Sequence, residues 1–410
     1  MKKNMVILVV VLSISVGVFG QEEYLLNSFE PEIIDARAEA LGRTSILSSS
    51  GANYLFNNPS MLCKLTNRNI QISGRAIYGN TNLKQKLNEE TYNLKTEYPL
   101  NMKITEFSIG IPYKNINNPN LMWGFGIGYR TYYDWGHKET CRDTYLDYEA
   151  ESITTGGFST LVLGSAINYR DKVSGGITFS FPVFSNSSHE FQDNYEAYKS
   201  EGELKGSFFT VSCSYFLHKS ITMGARFRTG FTLLREGEFS NGDKYKYDYL
   251  IPSELGVALK VIPYDKLRIF AEFLTRNFGK FEYEIGNNSE TYSLYNDSNN
   301  GFSFRTGLEF VSIITFRSGF FIQSVPIYKD SLFWSEEFNQ YVSNFSETPE
   351  LESGFTAGLG IKIGSQIHID LSGTYSSLIF DKNYDYYGYE YVVDHILTRF
   401  KIGCTIGYFF

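Results

Sequence analysis

Apolar and polar residues alternate along most of this chain. Trp123, Phe125, Ile127 and Tyr129 are interleaved with Gly124, Gly126, Gly128 and Arg130, and Ile221, Met223, Ala225 and Phe227 with Thr222, Gly224, Arg226 and Arg228. Phe302, Phe304, Thr306, Leu308 and Phe310 keep the same rhythm against Ser303, Arg305, Gly307 and Glu309, as do Ile367, Ile369 and Leu371 against His368, Asp370 and Ser372. The final stretch, FKIGCTIGYFF, sets Phe400, Ile402, Cys404, Ile406, Tyr408 and Phe410 against Lys401, Gly403, Thr405, Gly407 and Phe409. A period of two sends successive side chains to opposite faces, so each run predicts a β-strand with one apolar face and one polar or small face.

About fourteen such runs can be counted, at roughly 69–79, 104–114, 121–133, 154–170, 173–184, 204–218, 220–238, 253–263, 266–284, 301–312, 314–324, 352–364, 366–380 and 396–410. Long polar segments follow the odd-numbered runs: 80–103, 134–153, 185–203, 239–252, 285–300, 325–351 and 381–395. Tight links follow the even-numbered ones: Lys114–Asn120, Arg170–Val173, His218–Ser220, Ile262–Lys266, the bend near Ser312, and Gly364–Gln366. This asymmetry predicts an all-β fold, a transmembrane antiparallel β-barrel with long outer loops and short periplasmic turns. A soluble sandwich or propeller would not need it. Closure lets every backbone group find a partner in lipid, which an open sheet cannot do. The apolar face then meets lipid, the polar face lines a lumen, and the last strand pairs with the first.

Composition agrees. The chain holds 34 Phe and 31 Tyr but only 10 Pro, as strands prefer. The N-terminus, MKKNMVILVVVLSISVGVFGQ, has basic Lys2 and Lys3, an apolar Val6–Val18 and small residues before Gln21, so 1–20 reads as a secretory signal peptide. Losing Lys2 and Lys3 takes the net charge from −8 to −10, which argues against nucleic acid as a partner. The expected location is the outer membrane of a Gram-negative cell, with the lipid bilayer as one partner. Cys213 and Cys404 fall on apolar strand faces; a Cys63–Cys141 disulfide is one option in an oxidising compartment.

Residues 21–68 do not alternate. PEIIDARAEALG predicts a helix with Pro31 near its start and Gly42 at its C-terminal cap, and NNPSML a second short helix with Asn58 as N-cap and Pro59 in the first position. A helical segment of this size before the barrel, 69–410, predicts a small plug in the lumen or an ordered periplasmic arm.

The stretch DARAEALGRTSILSSSGANYLFNNPSML resembles the N-terminal region of the FadL-type hydrophobic-compound transporters and their PorV/PorQ-like relatives. Ala36-Arg37, Gly42 and Asn58-Pro59 stand at the matching spacing. Arg43 replaces a second Gly of the pattern, Ser50-Gly51 its acidic pair, and Ser60 the Ala after Asn-Pro. The resemblance implies a fourteen-strand plugged barrel that takes up hydrophobic or amphipathic small molecules passively. It equally admits a PorV-like surface barrel that holds or shuttles secreted proteins. The aromatic end, Tyr408 and Phe410, resembles the signal read by the barrel-assembly machinery of outer-membrane proteins.

No HExxH, GxSxG, P-loop or CxxC occurs, and no cofactor or metal is expected. The glycines of GFGIG share one strand face and open no helix, so they predict close approach of the wall to the plug backbone. His368, Asp370 and Ser372 point inward from one strand, which is poor geometry for a triad. The inward faces carry ten bases, among them Arg130, Arg226, Arg228 and Arg305, against Glu254, Glu272, Glu309 and Asp370. They either pair internally, also with plug acids such as Glu30, Glu32, Asp35 and Glu39, or receive an anionic head group; His368 and Asp370 are further lumen candidates. The outer loops contain KYKYDY (244–249) and NYDYYGYEY (383–391), suited to an aromatic girdle or to capture of an amphiphile or protein. A general diffusion porin would be obstructed by the plug, and an energised transporter of about 22 strands needs a longer chain.

Overall fold

The computed structural model describes residues 35–410 apart from 88–89, 115–116, 119, 135–136, 144–147, 194–196, 240–243, 278–281, 285–290, 294–299, 326–329, 336–339, 346–349 and 387–388. The signal peptide, Glu30, Pro31 and Glu32 lie outside the described residues, as do the side chains of Cys141 and of the tyrosines in both Tyr-rich segments.

Fourteen strands form the wall. They are β1 (Asn69–Leu87), β2 (Glu90–Lys114), β3 (Leu121–Asp134), β4 (Tyr148–Tyr169), β5 (Val173–Pro182), β6 (Phe208–His218) and β7 (Ile221–Arg228). The second half comprises β8 (Glu254–Tyr264), β9 (Leu267–Asn277), β10 (Asn300–Phe310), β11 (Ile314–Val325), β12 (Glu350–Ile363), β13 (Ile367–Tyr386) and β14 (Tyr389–Phe409). Each pairs antiparallel with its sequence neighbours, and β1 pairs with β14 from Asn69↔Phe409 to Lys86↔Val392, closing the barrel. Every predicted strand is present.

The outward row of each strand forms an exposed apolar belt, for instance Ile127, Phe227, Leu308, Leu371 and Ile406, while inward partners such as Arg130, Arg228, Arg305 and Thr405 are buried. No described helix is long and apolar enough to cross a membrane; the crossing is made by strands. Much of what the sequence suggests are long loops continues the ladder instead. β1 and β2 remain paired from Gly79↔Tyr98 to Leu87↔Glu90, and β13 and β14 out to Tyr386↔Tyr389. Pairing satisfies backbone groups whatever the side chains, so these polar stretches can be strand without an apolar face to announce it.

A line of interruptions runs along the wall from β5 to β8 on its long-connection side. Past it the same ladder resumes in Asn186–Asp193, Ala197–Lys205, Phe231–Phe239 and Lys244–Ile251. Phe184, left-handed at φ 52° and exposed, sits in the first break. Polarity inverts across this line. On the turn side Phe181, Phe209 and Leu255 are exposed while Ser180, Thr210 and Glu254 are buried. On the far side Glu190, Glu201, Glu203 and Glu236 are exposed while Leu204, Leu233 and Ile251 are buried. The outward face thus turns charged where the inward face becomes partly apolar, with Ser187, Ser200 and Arg235 buried beside Leu204, Leu233 and Ile251.

The segment 35–68 fills the lumen as a plug. Asp35 caps the short helix α1 (Ala36–Ala40), its Oδ1 accepting from Ala38 N at 3.0 Å. Gly42 follows at φ 70°, at the predicted C-terminal cap, and Arg43 also takes a left-handed backbone at φ 62°. A 3-10 turn (Gly51–Asn53), helix α2 (Tyr54–Asn57) and a 3-10 helix (Pro59–Lys64) complete it. Pro59 opens the last of these, as the sequence predicts, but Asn58 makes no side-chain cap. Its amide instead donates to Ile46 O within the plug at 2.8 Å and to Ser214 Oγ of β6 at 3.1 Å. Cys63 is a free, buried thiol, so the disulfide option is not taken.

Candidate functional site

The plug backbone lies against bare wall. A Cβ at Gly124 would collide with the backbone of Leu62 and Cys63, one at Gly176 with Pro59 and Ser60, and one at Gly319 with Leu41 and Gly42. Gly126 and Gly128 face plug side chains instead, Leu55 and Leu62 at the first and Phe56 and Leu55 at the second. The GFGIG glycines are therefore packing glycines, the role their shared strand face predicts.

Acids on the wall hold the plug in register. Glu309 grips Arg37 through both oxygens, at 2.9 and 3.0 Å, and also pairs with Arg268 at 2.7 Å and Arg317 at 2.9 Å. Glu272 accepts from the backbone N–H groups of Ser45 and Ile46, both at 2.7 Å, with Arg305 beside it at 3.3 Å. Arg305 in turn donates to Arg43 O at 2.9 Å. On β12, Thr356 accepts from Gly42 N at 2.8 Å and donates to Ala40 O. The motif residues Ala36, Arg37, Gly42, Asn58 and Pro59 are thus all plug–wall contacts. Burial pushes the Asp35 carboxyl above its ordinary range and the Cys63 thiol up to about 11.

Beyond the plug lies a narrow chamber that brings together three of the predicted bases, Arg130, Arg226 and Arg228, with Phe56, Tyr132 and Phe208. Arg226 pairs with Glu254 and donates to Asn57 O at 3.2 Å. Arg228 stands 3.7 Å and Arg276 2.7 Å from the same carboxylate. Arg130 pairs with Glu106 at 3.2 Å. Three guanidiniums thus share Glu254, and two of them, Arg226 and Arg228, line the chamber. Rings and guanidiniums stack through it: Arg130 lies over Phe56 at 5.4 Å and over Tyr132 at 5.8 Å, and Arg228 over Tyr132 at 5.1 Å.

Tyr132 is the extra residue of a β-bulge where the β3–β4 register shifts between Thr131 and Tyr133. The bulge turns both Tyr132 and Tyr133 inward. They join Phe158, Phe208 and Phe231 in a buried aromatic box, with Leu204, Leu233 and Ile251 behind. Tyr132 and Phe208 are 4.9 Å apart, Phe208 and Phe231 4.8 Å. This box was not anticipated from the sequence. The adjacent Tyr132-Tyr133 pair, which strict alternation would split between two faces, was the available signal.

The other candidates sit elsewhere. Asp370 is committed to Arg317 at 2.7 Å, and His368 packs at a tilt against Phe409 at 4.5 Å. Both belong with the Glu309 cluster and the barrel end rather than with the chamber. Internal pairing of the lumen charges is therefore extensive, chiefly with wall acids; of the plug acids Glu39 approaches Arg43 at 3.9 Å.

Solved structures of similar architecture include a Pseudomonas aeruginosa FadL homologue, with TM-score 0.63 and 9% sequence identity over 92% of this chain and 98% of that one. The Pseudomonas putida toluene transporter TodX gives 0.56 at 11% identity, covering 92% and 98%. The monoaromatic hydrocarbon channel CymD gives 0.53 at 10% identity, covering 92% and 97%. No protein-family model and no curated protein matches the sequence. At such identities the likeness establishes the fold: this chain has the FadL-type plugged barrel.

Proposed function

We propose that this protein is an outer-membrane channel for passive uptake of hydrophobic or amphipathic small molecules, with long-chain carboxylates as its preferred class. The observation that carries the reading is the aromatic box placed where the outward face has already turned polar. An apolar interior beyond the lipid belt has no use in holding the barrel in the membrane. Once its rings part, it offers an apolar solute leaving water a place to bury its surface, worth about 25 cal/mol per Å² removed. Solved neighbours named as a toluene transporter and a monoaromatic hydrocarbon channel support the hydrophobic part of this reading.

The three guanidiniums that line the chamber next to the box are the ground for the carboxylate. A tail held among Tyr132, Phe208 and Phe231 would place its head beside Arg130, Arg226 and Arg228. Onward passage takes a shift of the plug or a sideways exit between wall strands, because the seated plug contacts the wall backbone at Gly124, Gly176 and Gly319.

Uptake into vesicles containing the purified protein tests both parts. With water in the lumen each head-group contact is worth about 1 kcal/mol, roughly a fivefold effect. The double variant Arg226→Gln/Arg228→Gln should slow a long-chain carboxylate several-fold and spare the corresponding alcohol, whereas Phe231→Ala should slow both. Equal loss of both ligands in the arginine variant would indicate damage to the plug contacts. No loss in either variant, with the barrel intact, would remove the chamber from the pathway and favour a barrel that holds secreted proteins.

A further inference from the structure

The wall has one joint between strands distant in sequence, where β1 meets β14, and the plug is hydrogen-bonded across it. Thr405 of β14 accepts from the plug's Ala36 N at 2.9 Å and donates to Ser73 Oγ of β1 at 3.0 Å. Asn69, the first residue of β1, donates from Nδ2 to Tyr408 O of β14 at 3.1 Å, while its Oδ1 accepts from Ala52 N of the plug. Asn53 fixes the plug on the near side. Its N–H donates to Gln71 Oε1 at 2.8 Å, its Nδ2 to Ser73 Oγ at 3.1 Å, and its Oδ1 accepts from Ser108 of β2 at 2.7 Å.

These bonds fall into two classes by chain separation. Those between the plug and β1 or β2 join residues 17 to 55 positions apart, whereas those reaching β14 span more than 300. Short loops close at small entropic cost, so the plug can dock on β1 and β2 before the rest of the wall arrives. In that state Asn69 Nδ2 and Ser73 Oγ, on side chains that Ala52 and Asn53 of the plug already hold, would face the edge that β14 must take. An unpaired edge is expensive in lipid, and a prearranged row of partners sets the register of the pair that removes it.

We propose that the plug has a second function, as the template on which the barrel closes: held on β1 and β2, it orients the Asn69 and Ser73 side chains that capture β14, and Ala36 N–H then locks Thr405 in place. A plug that merely stabilised the finished barrel would slow unfolding only. A template must act before closure, so weakening it slows folding itself.

The test is refolding of the full chain from urea into phospholipid vesicles, followed by the gel mobility that distinguishes folded from heat-denatured barrels. Thr405→Val removes two of the three side-chain bonds to β14 at the seam and should slow folding about fivefold, the worth of roughly one net hydrogen bond. Thr405→Ser keeps the hydroxyl and should fold near the native rate. Ser214→Ala, which removes plug bonds of the same kind from β6, should leave the folding rate unchanged and only hasten unfolding. The proposal is overturned if Thr405→Val folds at the native rate, or if Ser214→Ala slows folding as much. Should Thr405→Val yield no folded barrel, recovery in Thr405→Ser sustains the proposal and failure of both variants sinks it.

Discussion

If the plug is what closes the lumen, its seat should be open to disruption by a single methyl group. Gly307 of β10 lies on the inward face between Arg305 and Glu309, and a Cβ there would stand 2.5 Å from Leu41 O and 2.8 Å from Leu41 C and Cα. Nonbonded carbon contacts settle near about 3.5–4.0 Å, so Leu41 would have to retreat by roughly 1 Å. It has little room. Its side chain is packed with Ile46, Phe270 and Leu274, and the next residue, Gly42, sits against Phe320 and Thr306 backbone atoms. Overpacking of this kind costs about 1–3 kcal/mol, which would raise the population with a displaced plug about five- to 150-fold. Gly307→Ala should therefore increase the frequency of channel openings in planar lipid bilayers, while heat-modifiable mobility shows a folded barrel, since no lipid-facing residue is touched. Gly373→Ala is the control, because a Cβ there meets only Phe400 ring atoms at 4.0 Å. A folded Gly307→Ala barrel with native conductance would refute the argument that the plug is seated by wall glycines and blocks the pore.

Two further outcomes are expected. Glu309→Gln leaves Arg37, Arg268 and Arg317 around a neutral amide that is almost fully buried, so the barrel should lose about 3–5 kcal/mol and its SDS resistance at a lower temperature; unchanged thermal resistance would contradict the hub role. Deleting Phe410, whose exposed ring stacks on Tyr408 at 5.8 Å, should lower surface levels while export to the periplasm continues, and normal abundance of heat-modifiable barrel would exclude an assembly role for it.

The strands and the direction of their faces were determined by the sequence alone, because period-two alternation is a local property that a lipid exterior enforces on every crossing. Lys401 and Thr405 could be placed inward, and Ile406 and Tyr408 outward, without knowing a single neighbour. The glycines of β3 could likewise be assigned to the plug side, and Gly42 to a helix end. What alternation cannot reach is register between strands and the path of the plug. That Arg226, Arg228 and Arg276 meet on Glu254, or that Arg37, Arg268 and Arg317 meet on Glu309, depends on how β7, β8, β9, β10 and β11 align and where a non-periodic segment crosses them. The aromatic box required a bulge at Tyr132 and breaks in β5–β8, both non-local departures from regular pairing. Only tertiary structure could decide these contacts, since each is fixed by backbone pairing between residues that the local pattern leaves unrelated.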